Sequence, residues 1–345
     1  MKPYRELRPS LPARQSLKPH WINEGVLSAI GNTPLVRLGR LSERLRLEVF
    51  AKLEAHNPGG SMKDRPAANI IKSAIKAGLI TRDSVVIESS SGNMGIGLAQ
   101  VCAYYGLRFI CVVDVKVTSQ NLKLLKAYGA EVDLVSEPDP ETGELLQARV
   151  NRVKELLNTV EHSFWPDQYS NLNNSLAHHQ TMREIVEALD GEIDYFFCAT
   201  STCGTLRGCS EFVKQAGLRT EIIAVDALGS VIFGGPSAKR LIPGHGASVR
   251  PSLFKDHFAD RYVQVSDRDC IVGCRQLLKL ESILAGGSSG AIVSALLREK
   301  LPEDSTCVLL LADRGERYLE TIYSDEWVTQ HFGQLETQAC KVATY

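Results

Sequence analysis

The strongest constraint on the fold is an alternation of short apolar runs with longer amphipathic stretches along most of the chain. The apolar runs predict β-strands at residues 48–54, 85–87, 109–115, 131–135, 195–200, 221–226, 262–265 and 307–312. The amphipathic stretches predict helices at residues 67–77, 93–105, 121–128, 144–157, 175–189, 205–216, 267–280, 289–299 and 317–323. Strands and helices in this order predict an α/β protein, in which mostly parallel sheets are covered by helices on both faces.

The size and charge of the chain narrow the class of protein. Its 345 residues, 44% of them apolar, suffice for two domains, and a polar gap at residues 136–142 favours two α/β units. The formal net charge of −1 argues against affinity for nucleic acid that depends on phosphate neutralisation. No apolar run is long enough to span a membrane, and residues 1–20 lack the apolar segment of a secretory signal. We therefore expect a cytoplasmic protein with no membrane or nucleic-acid partner.

The cysteines are typical of a reduced, intracellular protein. There are nine of them, no Cys-x-x-Cys pair occurs, and most lie in apolar segments. Buried free thiols are therefore expected rather than a disulfide framework or a zinc site, and no metal is expected.

A lysine on a glycine-rich turn is the first candidate for chemistry. The turn reads Asn-Pro-Gly-Gly-Ser-Met-Lys-Asp-Arg-Pro over residues 57–66 and leads into the predicted helix 67–77. Pro66 suits the start of that helix and Gly78 suits its end. Lys63 is therefore fixed in direction, and the glycines allow another group to approach it closely. Taken alone, such a lysine is more often a solvated surface residue.

Further turns, rich in glycine and small hydroxyl residues, indicate a binding site. Residues 89–95 and 201–205 each follow a predicted strand, and residues 286–290 lead into a predicted helix. In parallel α/β sheets ligands bind beyond the carboxyl ends of strands, and backbone N–H groups at a helix start bind anions. The motifs of P-loop and dinucleotide-binding proteins are absent from the sequence, so neither class is expected.

Several motifs together resemble those of fold-type II pyridoxal-phosphate enzymes, in particular the cysteine synthase and cystathionine β-synthase family. They are the lysine turn at 57–65, Ser-Gly-Asn at 91–93, Gly-Ser-Ser-Gly-Ala at 287–291, Ile-Gly-Asn-Thr-Pro-Leu at 30–35 and Gly-Glu-Arg-Tyr-Leu at 315–319. The likeness runs from Val26 to Phe332. It implies two three-layer α/β domains of the tryptophan synthase β-like type, with pyridoxal 5'-phosphate in the cleft between them.

The resemblance also implies a division into domains and an assembly. A small, mobile domain would comprise residues 57–164, and a large cofactor-binding domain would combine residues 26–56 with 165–333. Residues 1–25 would form an N-terminal arm and residues 334–345 a tail. Because members of the family are usually homodimers, a homodimer is expected.

The resemblance assigns the cofactor contacts residue by residue. Lys63 would form the Schiff base with the cofactor aldehyde and, once released, would remove the substrate Cα proton. Asn93 would donate to the ring phenolate, and Ser288 would meet the pyridine nitrogen. The cofactor phosphate would be held where the family usually has Gly-Thr-Gly-Gly-Thr, here Ser201, Thr202, Cys203, Gly204 and Thr205. Cys203 is interpreted as a space-filling residue rather than a redox sensor.

Ser288 bears on the type of reaction. A hydroxyl cannot keep the ring nitrogen protonated as an aspartate can, so the ring is a weaker electron sink. The resemblance therefore implies loss of a β-substituent from a serine derivative to give an α-aminoacrylate, followed by addition of a nucleophile at Cβ. The substrate carboxylate would be bound by the turn after the strand 85–87 and by a later glutamine, that is by Ser90, Ser91, Gly92, Met94 and Gln168.

Departures from the usual family pattern point to one branch. The segments 90–95, 201–205 and 225–234 are similar to those of N-(2-amino-2-carboxyethyl)-L-glutamate synthases. These join O-phospho-L-serine to the amine of L-glutamate and release phosphate, for 2,3-diaminopropionate in siderophores or peptide antibiotics. Arg149, Tyr169 and Ser201 are candidates for binding the glutamate carboxylates. An exposed helix arginine and a core-packed tyrosine are the simpler interpretations of Arg149 and Tyr169.

Other functions stay open at this point. A cysteine synthase that uses O-phosphoserine or O-acetylserine with sulfide would have the same fold. A serine or threonine dehydratase would need no second substrate. A non-catalytic protein that keeps the fold is the alternative from another class, and the presence of Lys63, Asn93 and Ser288 speaks against it.

Overall fold

A computed structural model describes residues 25–335, which form an α/β structure built on two sheets. The strands are β1 (Leu35–Arg37), β2 (Glu48–Leu53), β3 (Val85–Ser89), β4 (Arg108–Asp114), β5 (Glu131–Val135), β6 (Ser163–Phe164), β7 (Tyr195–Ala199), β8 (Glu221–Ala227), β9 (Arg261–Val265) and β10 (Thr306–Leu311). The helices are α1 (Gly39–Leu45), α2 (Asp64–Lys76), α3 (Asn93–Tyr105), α4 (Ser119–Ala127), α5 (Leu145–Thr159), α6 (Leu172–Ala188), α7 (Gly204–Gln215), α8 (Asp267–Glu281), α9 (Gly287–Leu296) and α10 (Asp325–Phe332). Most of the predicted arm and tail, and Cys340, lie outside the described residues.

The strands divide between a larger and a smaller sheet. The larger sheet has the order β1-β2-β10-β7-β8-β9, and its neighbours are parallel except for β1 with β2. The smaller sheet has the order β5-β4-β3-β6 and is parallel throughout. Parallel neighbours need crossover connections, which are usually helical and pack on the faces of the sheet. The predicted α/β class with mostly parallel sheets is confirmed.

Alternate residues of the central strands pack into cores on opposite faces of the larger sheet. Leu309 and Val225 belong to a core shared with α8 and α9, whereas Val308 and Ala224 belong to a core shared with α6 and α7. All of these side chains are fully buried, as expected for strands between two helical layers. The smaller sheet is covered in the same way, by α2, α3 and α4 on one face and α5 on the other.

Most predicted elements are present with ends shifted by a few residues, and the helix predicted at 93–105 keeps those bounds. The helix predicted at 317–323 is wrong, because only a short 3-10 helix forms at Gly315–Tyr318 and irregular turns follow. There the Tyr318 hydroxyl donates to Asp313, at 2.6 Å, and this tertiary contact outweighs the local helical pattern. The helices α1 and α10 and the two-residue strand β6 were not predicted, since they are too short to show a period.

Residues 25–335 contain eight of the nine cysteines of the chain. Their cysteines are all buried and form no disulfide bond, and no cluster of His, Cys, Asp and Glu side chains within 25–335 is arranged to hold a metal ion. Over the same residues, no helix combines the length and apolar character needed to cross a membrane.

Candidate active site

The turn that carries Lys63 lies where the two sheets meet. Lys63 immediately precedes α2, which packs on the smaller sheet, while the turn itself is held to the end of β10 in the larger sheet. The Met62 N–H donates to the Ala312 carbonyl at 2.8 Å, and Ser61 forms an isolated β-bridge with Asp313. These backbone contacts place the lysine at the carboxyl edge of the larger sheet, where ligands of α/β proteins bind.

The surroundings of the Lys63 amine favour its neutral form. The side chain is partly exposed, and within the described chain its amine makes no hydrogen bond or ion pair. Burial lowers the pKa of the amine to about 8, although the nearby Cys203 thiol and Asp313 carboxyl oppose that effect. A lysine must lose its proton to attack an aldehyde, so this lowered pKa suits a covalent role.

Asn93 connects the smaller sheet to the larger one. It begins α3, just beyond the end of β3, and its Nδ2 donates to Asp313 Oδ2 at 2.8 Å. The same Asp313 oxygen accepts from the Tyr318 hydroxyl. Burial raises the pKa of Asp313, while the hydrogen bonds from Tyr318 and Asn93 act in the opposite direction. Since an amide NH2 carries two hydrogens, this bond orients Asn93 and leaves its second hydrogen for a ligand.

The turn before α9 lies beside the same aspartate. The Gly286 N–H donates to the Asp313 carbonyl at 3.3 Å, and any side chain at Gly286 would collide with Asp313 Oδ1. Ser288 is the second residue of α9; it is partly exposed, and its hydroxyl makes no hydrogen bond within residues 25–335. The segments that carry Lys63, Asn93 and Ser288 therefore all contact Asp313. Sequence reasoning missed Asp313, although its position directly after a strand was a usable signal.

The loop 201–205 joins β7 to the start of α7, so its N–H groups face outward at a helix N-terminus. Cys203 has a φ of +63°, a left-handed conformation that favours glycine, which accounts for the glycine usual in the family motif. Thr205 Oγ1 lies 3.3 Å from Nε2 of the buried His178, whose pKa is lowered well below its usual value by burial, with the nearby Lys63 and Arg65 contributing. His178 is thus neutral and positions Thr205, and sequence reasoning missed it.

The turn after β3 uses its side chains to hold its own shape. Ser90 Oγ accepts from the Gly95 N–H at 3.0 Å, and Ser91 Oγ accepts from the Asp114 N–H at 3.1 Å. The buried Gln168 donates from Nε2 to the Ser89 carbonyl at 3.1 Å, which ties it to the same turn. The first two N–H groups of α3, those of Asn93 and Met94, have no partner inside the helix and are the groups left for an anionic ligand. Gly92 precedes these groups, and Met94 is buried beneath the turn.

The structure corrects the simpler interpretation of Arg149. This arginine is not an exposed helix residue, because it is largely buried on α5 with its Nε 2.9 Å from Asp114 Oδ2. Tyr169 is partly buried; burial raises the pKa of its hydroxyl, and the nearby Arg149 opposes that effect. Ser201 is partly exposed at the end of β7. Arg149 therefore lies near Tyr169. The residues next to Tyr169 and Ser201 are linked, because Asn174 Nδ2 donates to the Gln168 carbonyl at 2.7 Å and to Thr202 Oγ1 at 3.4 Å.

A buried ion cluster fixes the start of α2. Arg65 pairs with Glu54 at 2.7 Å and with Glu184 at 2.8 Å, and Lys52 pairs with Glu184 at 2.7 Å. All four side chains are almost completely buried, and their partners come from β2, the turn after it and α6. The cluster holds the helix that follows Lys63 against the larger sheet.

Fold and site together define a class: an α/β protein with a lysine of lowered pKa and open helix N-termini where two mostly parallel sheets meet. Comparison with protein families narrows this class, because residues 26–313 match the model of the pyridoxal-phosphate-dependent enzymes. The chain belongs to this family, and its cofactor is pyridoxal phosphate. The family and the cofactor predicted from the motifs are thereby confirmed.

Solved structures of similar enzymes support this assignment. The O-acetylserine-dependent cystathionine β-synthase from Helicobacter pylori is 32% identical, with a TM-score of 0.81 over 88% of this chain and 99% of that one. A hydrogen sulfide-producing enzyme from Fusobacterium nucleatum is 33% identical, with a TM-score of 0.80 over 86% and 100%. O-ureido-L-serine synthase is 30% identical, with a TM-score of 0.80 over 88% and 98%. The likeness therefore covers nearly the whole of each of these enzymes.

The residues present at the site fit this cofactor. A free amine of lowered pKa is available for its aldehyde at Lys63, and unpaired N–H groups at the start of α7 suit its phosphate. Ser288 offers an unpaired hydroxyl, and Asn93 offers an oriented amide hydrogen. No carboxylate other than Asp313 takes part in the contacts among these segments within the described residues.

Proposed function

We propose that the enzyme catalyses β-replacement on O-phospho-L-serine with the amine of L-glutamate as nucleophile. The products would be N-(2-amino-2-carboxyethyl)-L-glutamate and phosphate, on the route to 2,3-diaminopropionate for siderophores or peptide antibiotics. The observation that supports this choice is a group of three arginines around the site, of which Arg240 forms no ion pair among the described residues. Arg149 lies on the side of the smaller sheet, and Arg240 and Arg250 lie beside the carboxyl edge of the larger sheet. O-phosphoserine and glutamate bring a phosphate and several carboxylates to bind, whereas sulfide needs no such groups.

Each proposed residue has a role that its surroundings support. Bound pyridoxal phosphate supplies an aldehyde for covalent attachment and a ring that accepts electrons. Lys63 holds the cofactor and moves the Cα proton, Asn93 and Ser288 contact the ring, and residues 201–205 hold the phosphate. Ser90, Ser91, Gly92, Met94 and Gln168 bind the carboxylate of O-phosphoserine, mainly through the free N–H groups at the start of α3.

The architecture proposed for the reaction has two domains that close on the substrate. The small domain would comprise residues 57–164, and the large domain would comprise residues 26–56 and 165–333. Asn93 and Arg149 belong to the first, and Asp313 and Ser201 to the second. Closure would exclude water from the site, so that the amine rather than water would be the nucleophile. We also propose a homodimer, which light scattering on the purified protein would test.

Product analysis tests the proposed reaction directly. The purified holoenzyme is incubated with O-phospho-L-serine or O-acetyl-L-serine, each with L-glutamate or sulfide, and the products are identified by mass spectrometry. We expect the glutamate adduct and one equivalent of phosphate from the first donor. Efficient cysteine formation with no glutamate adduct would refute the proposal and support a cysteine synthase. Ammonia release without a second substrate would support a dehydratase.

A further inference from the structure

A basic segment, residues 240–252, runs along the carboxyl edge of the larger sheet. The Gly246 N–H donates to the carbonyl of Thr200, the residue before the loop 201–205, at 2.8 Å. Ile242 packs directly against Gly287, next to Ser288. Ser252 Oγ donates to the Tyr169 carbonyl at 2.8 Å. The segment therefore extends from the turn of Ser288, past the loop 201–205, to Tyr169.

Of the three arginines Arg149, Arg240 and Arg250, Arg240 is the one whose charge is not offset by a carboxylate in contact with it. Arg149 is paired with Asp114, and Arg250 is paired with Asp256. Arg240 donates from Nη2 to the neutral Ser248 Oγ at 2.8 Å and packs against Gly246, and within residues 25–335 it forms no ion pair.

Carboxylates from more than one part of the fold lie near the Arg240 guanidinium. Burial lowers the pKa of its guanidinium, while Asp226, Asp267 and Glu144 are near enough to oppose that effect. Glu144 directly precedes α5, the helix of Arg149 that packs on the smaller sheet. The Arg240 guanidinium therefore lies near carboxylates of both the larger-sheet side and the smaller-sheet side.

His245 adds a second observation that points to a ligand. The side chain is only 3% exposed, and neither Nδ1 nor Nε2 has a hydrogen-bond partner among the described residues. Burial, together with the nearby Arg240, lowers the pKa of His245 to about 4, so the ring is neutral and carries one N–H donor. A buried donor without a partner is costly, and a ligand oxygen at this point would remove that cost.

We propose that Arg240, with His245 beside it, binds the side-chain carboxylate of the amino-acid nucleophile and so selects glutamate. This inference rests on the proposed function. The planar guanidinium can donate two parallel hydrogen bonds to a carboxylate, and the imidazole N–H can supply a third donor. Arg149 would then act on the other side of the site, where its charge is already shared with Asp114. An amide in place of the carboxylate would lack the charge and the two acceptor oxygens that pair with Arg240, so it would bind less tightly.

The test compares L-glutamate with L-glutamine as nucleophile for the wild-type enzyme and Arg240→Gln. We expect the wild type to prefer glutamate and Arg240→Gln to lose about 100-fold in kcat/KM for glutamate, mainly through KM, with little change for glutamine. The preference should therefore disappear. Lys239→Gln removes an equal charge from the adjacent, exposed position and should keep the wild-type preference. His245→Asn should weaken the preference by about tenfold.

The test uses the ratio of kcat/KM for glutamate to kcat/KM for glutamine. Misfolding lowers both rates together, so the ratio stays informative even when a variant is damaged. A wild-type preference in Arg240→Gln would overturn the inference while leaving the proposed function intact. Loss of the preference in Arg149→Gln but not in Arg240→Gln would also overturn it. A wild-type enzyme that forms no glutamate adduct would refute the proposed function itself.

Discussion

The two sides of the site differ in what holds their functional groups in place. The cofactor side, defined as Lys63, Asn93, Ser288, Asp313 and the loop 201–205, is organised around hydrogen bonds that reach Asp313 and Thr205. The nucleophile side, defined as Arg149, Tyr169 and the segment 240–252, holds an arginine without an ion pair and a buried histidine without a partner. In the described part of the chain both sides keep groups without a partner, at Lys63 and Ser288 on the first and at His245 on the second. The cofactor side is held together by hydrogen bonds to Asp313, which indicates that the fold preorganises it, whereas the buried His245 indicates a ligand on the nucleophile side.

The largest expected effect is the loss of Lys63. In Lys63→Ala the cofactor has no amine to attach to, so the visible absorbance of the holoenzyme should be absent. The rate of β-replacement should fall by about 10³-fold or more, because the group that moves the Cα proton is also removed. Lys72→Ala, an exposed lysine on the same helix, should leave both unchanged. Normal absorbance and turnover in Lys63→Ala would show that Lys63 neither attaches the cofactor nor moves the Cα proton.

Breaking the buried ion cluster should lower the stability of the protein rather than impair the catalytic steps. Arg65→Ala leaves Glu54 and Glu184 without their main partner in a buried position, so the free energy of unfolding should fall by about 3–5 kcal/mol. Urea denaturation of the apoenzyme measures this change. Arg37→Ala breaks the exposed pair with Glu48 and should cost far less, because water screens both charges. Equal losses in the two variants would show that burial does not distinguish these pairs.

Asp313 should affect the bound cofactor through its hydrogen bond with Asn93. Asp313→Ala removes the acceptor that orients the Asn93 amide, so the visible absorbance maximum of the bound cofactor should shift and its affinity should fall about tenfold. Tyr318→Phe removes the other donor to the same oxygen and should shift the absorbance less. In the double variant of Asn93→Ala and Asp313→Ala the shift should be no larger than in either single variant. Additive shifts would mean that the two residues act independently.

The lowered pKa of Lys63 predicts how cofactor attachment depends on pH. Below the folded-state pKa of about 8 the ammonium form dominates and cannot attack the aldehyde. The rate at which the apoenzyme takes up pyridoxal phosphate should therefore rise about tenfold between pH 7 and a plateau above pH 9, since one pH unit is a tenfold change in the neutral fraction. Stopped-flow absorbance measures this rate. A rate that still climbs steeply at pH 10 would indicate an amine with an unshifted pKa.

The contrast between the cofactor side and the nucleophile side also explains which features could be predicted from the sequence. The cofactor side stands on turns at strand ends, where glycine and hydroxyl residues make short recognisable motifs, and the helix at 93–105 was predicted to the residue. Asp313, His178 and the Arg65 cluster were missed because their partners are distant in sequence; Arg65 and Glu184, for example, are 119 residues apart. Arg240 and His245 lie in an irregular segment without a period, so no pattern marked them. Tertiary contacts, not local propensity, create these features.

The smallest expected effect is at Cys203, and it tests whether the loop 201–205 is strained. The left-handed φ of +63° costs a side chain about 1–2 kcal/mol relative to glycine. Cys203→Gly relieves this strain, but it also removes a buried thiol and makes the unfolded chain more flexible, so the free energy of unfolding should change by less than about 1 kcal/mol. Gly204→Ala is the matched contrast, because its Cβ would collide with the Asn174 side chain and should disrupt cofactor binding. If Cys203→Gly instead lost the cofactor, the thiol would contribute to the cofactor side directly rather than fill space.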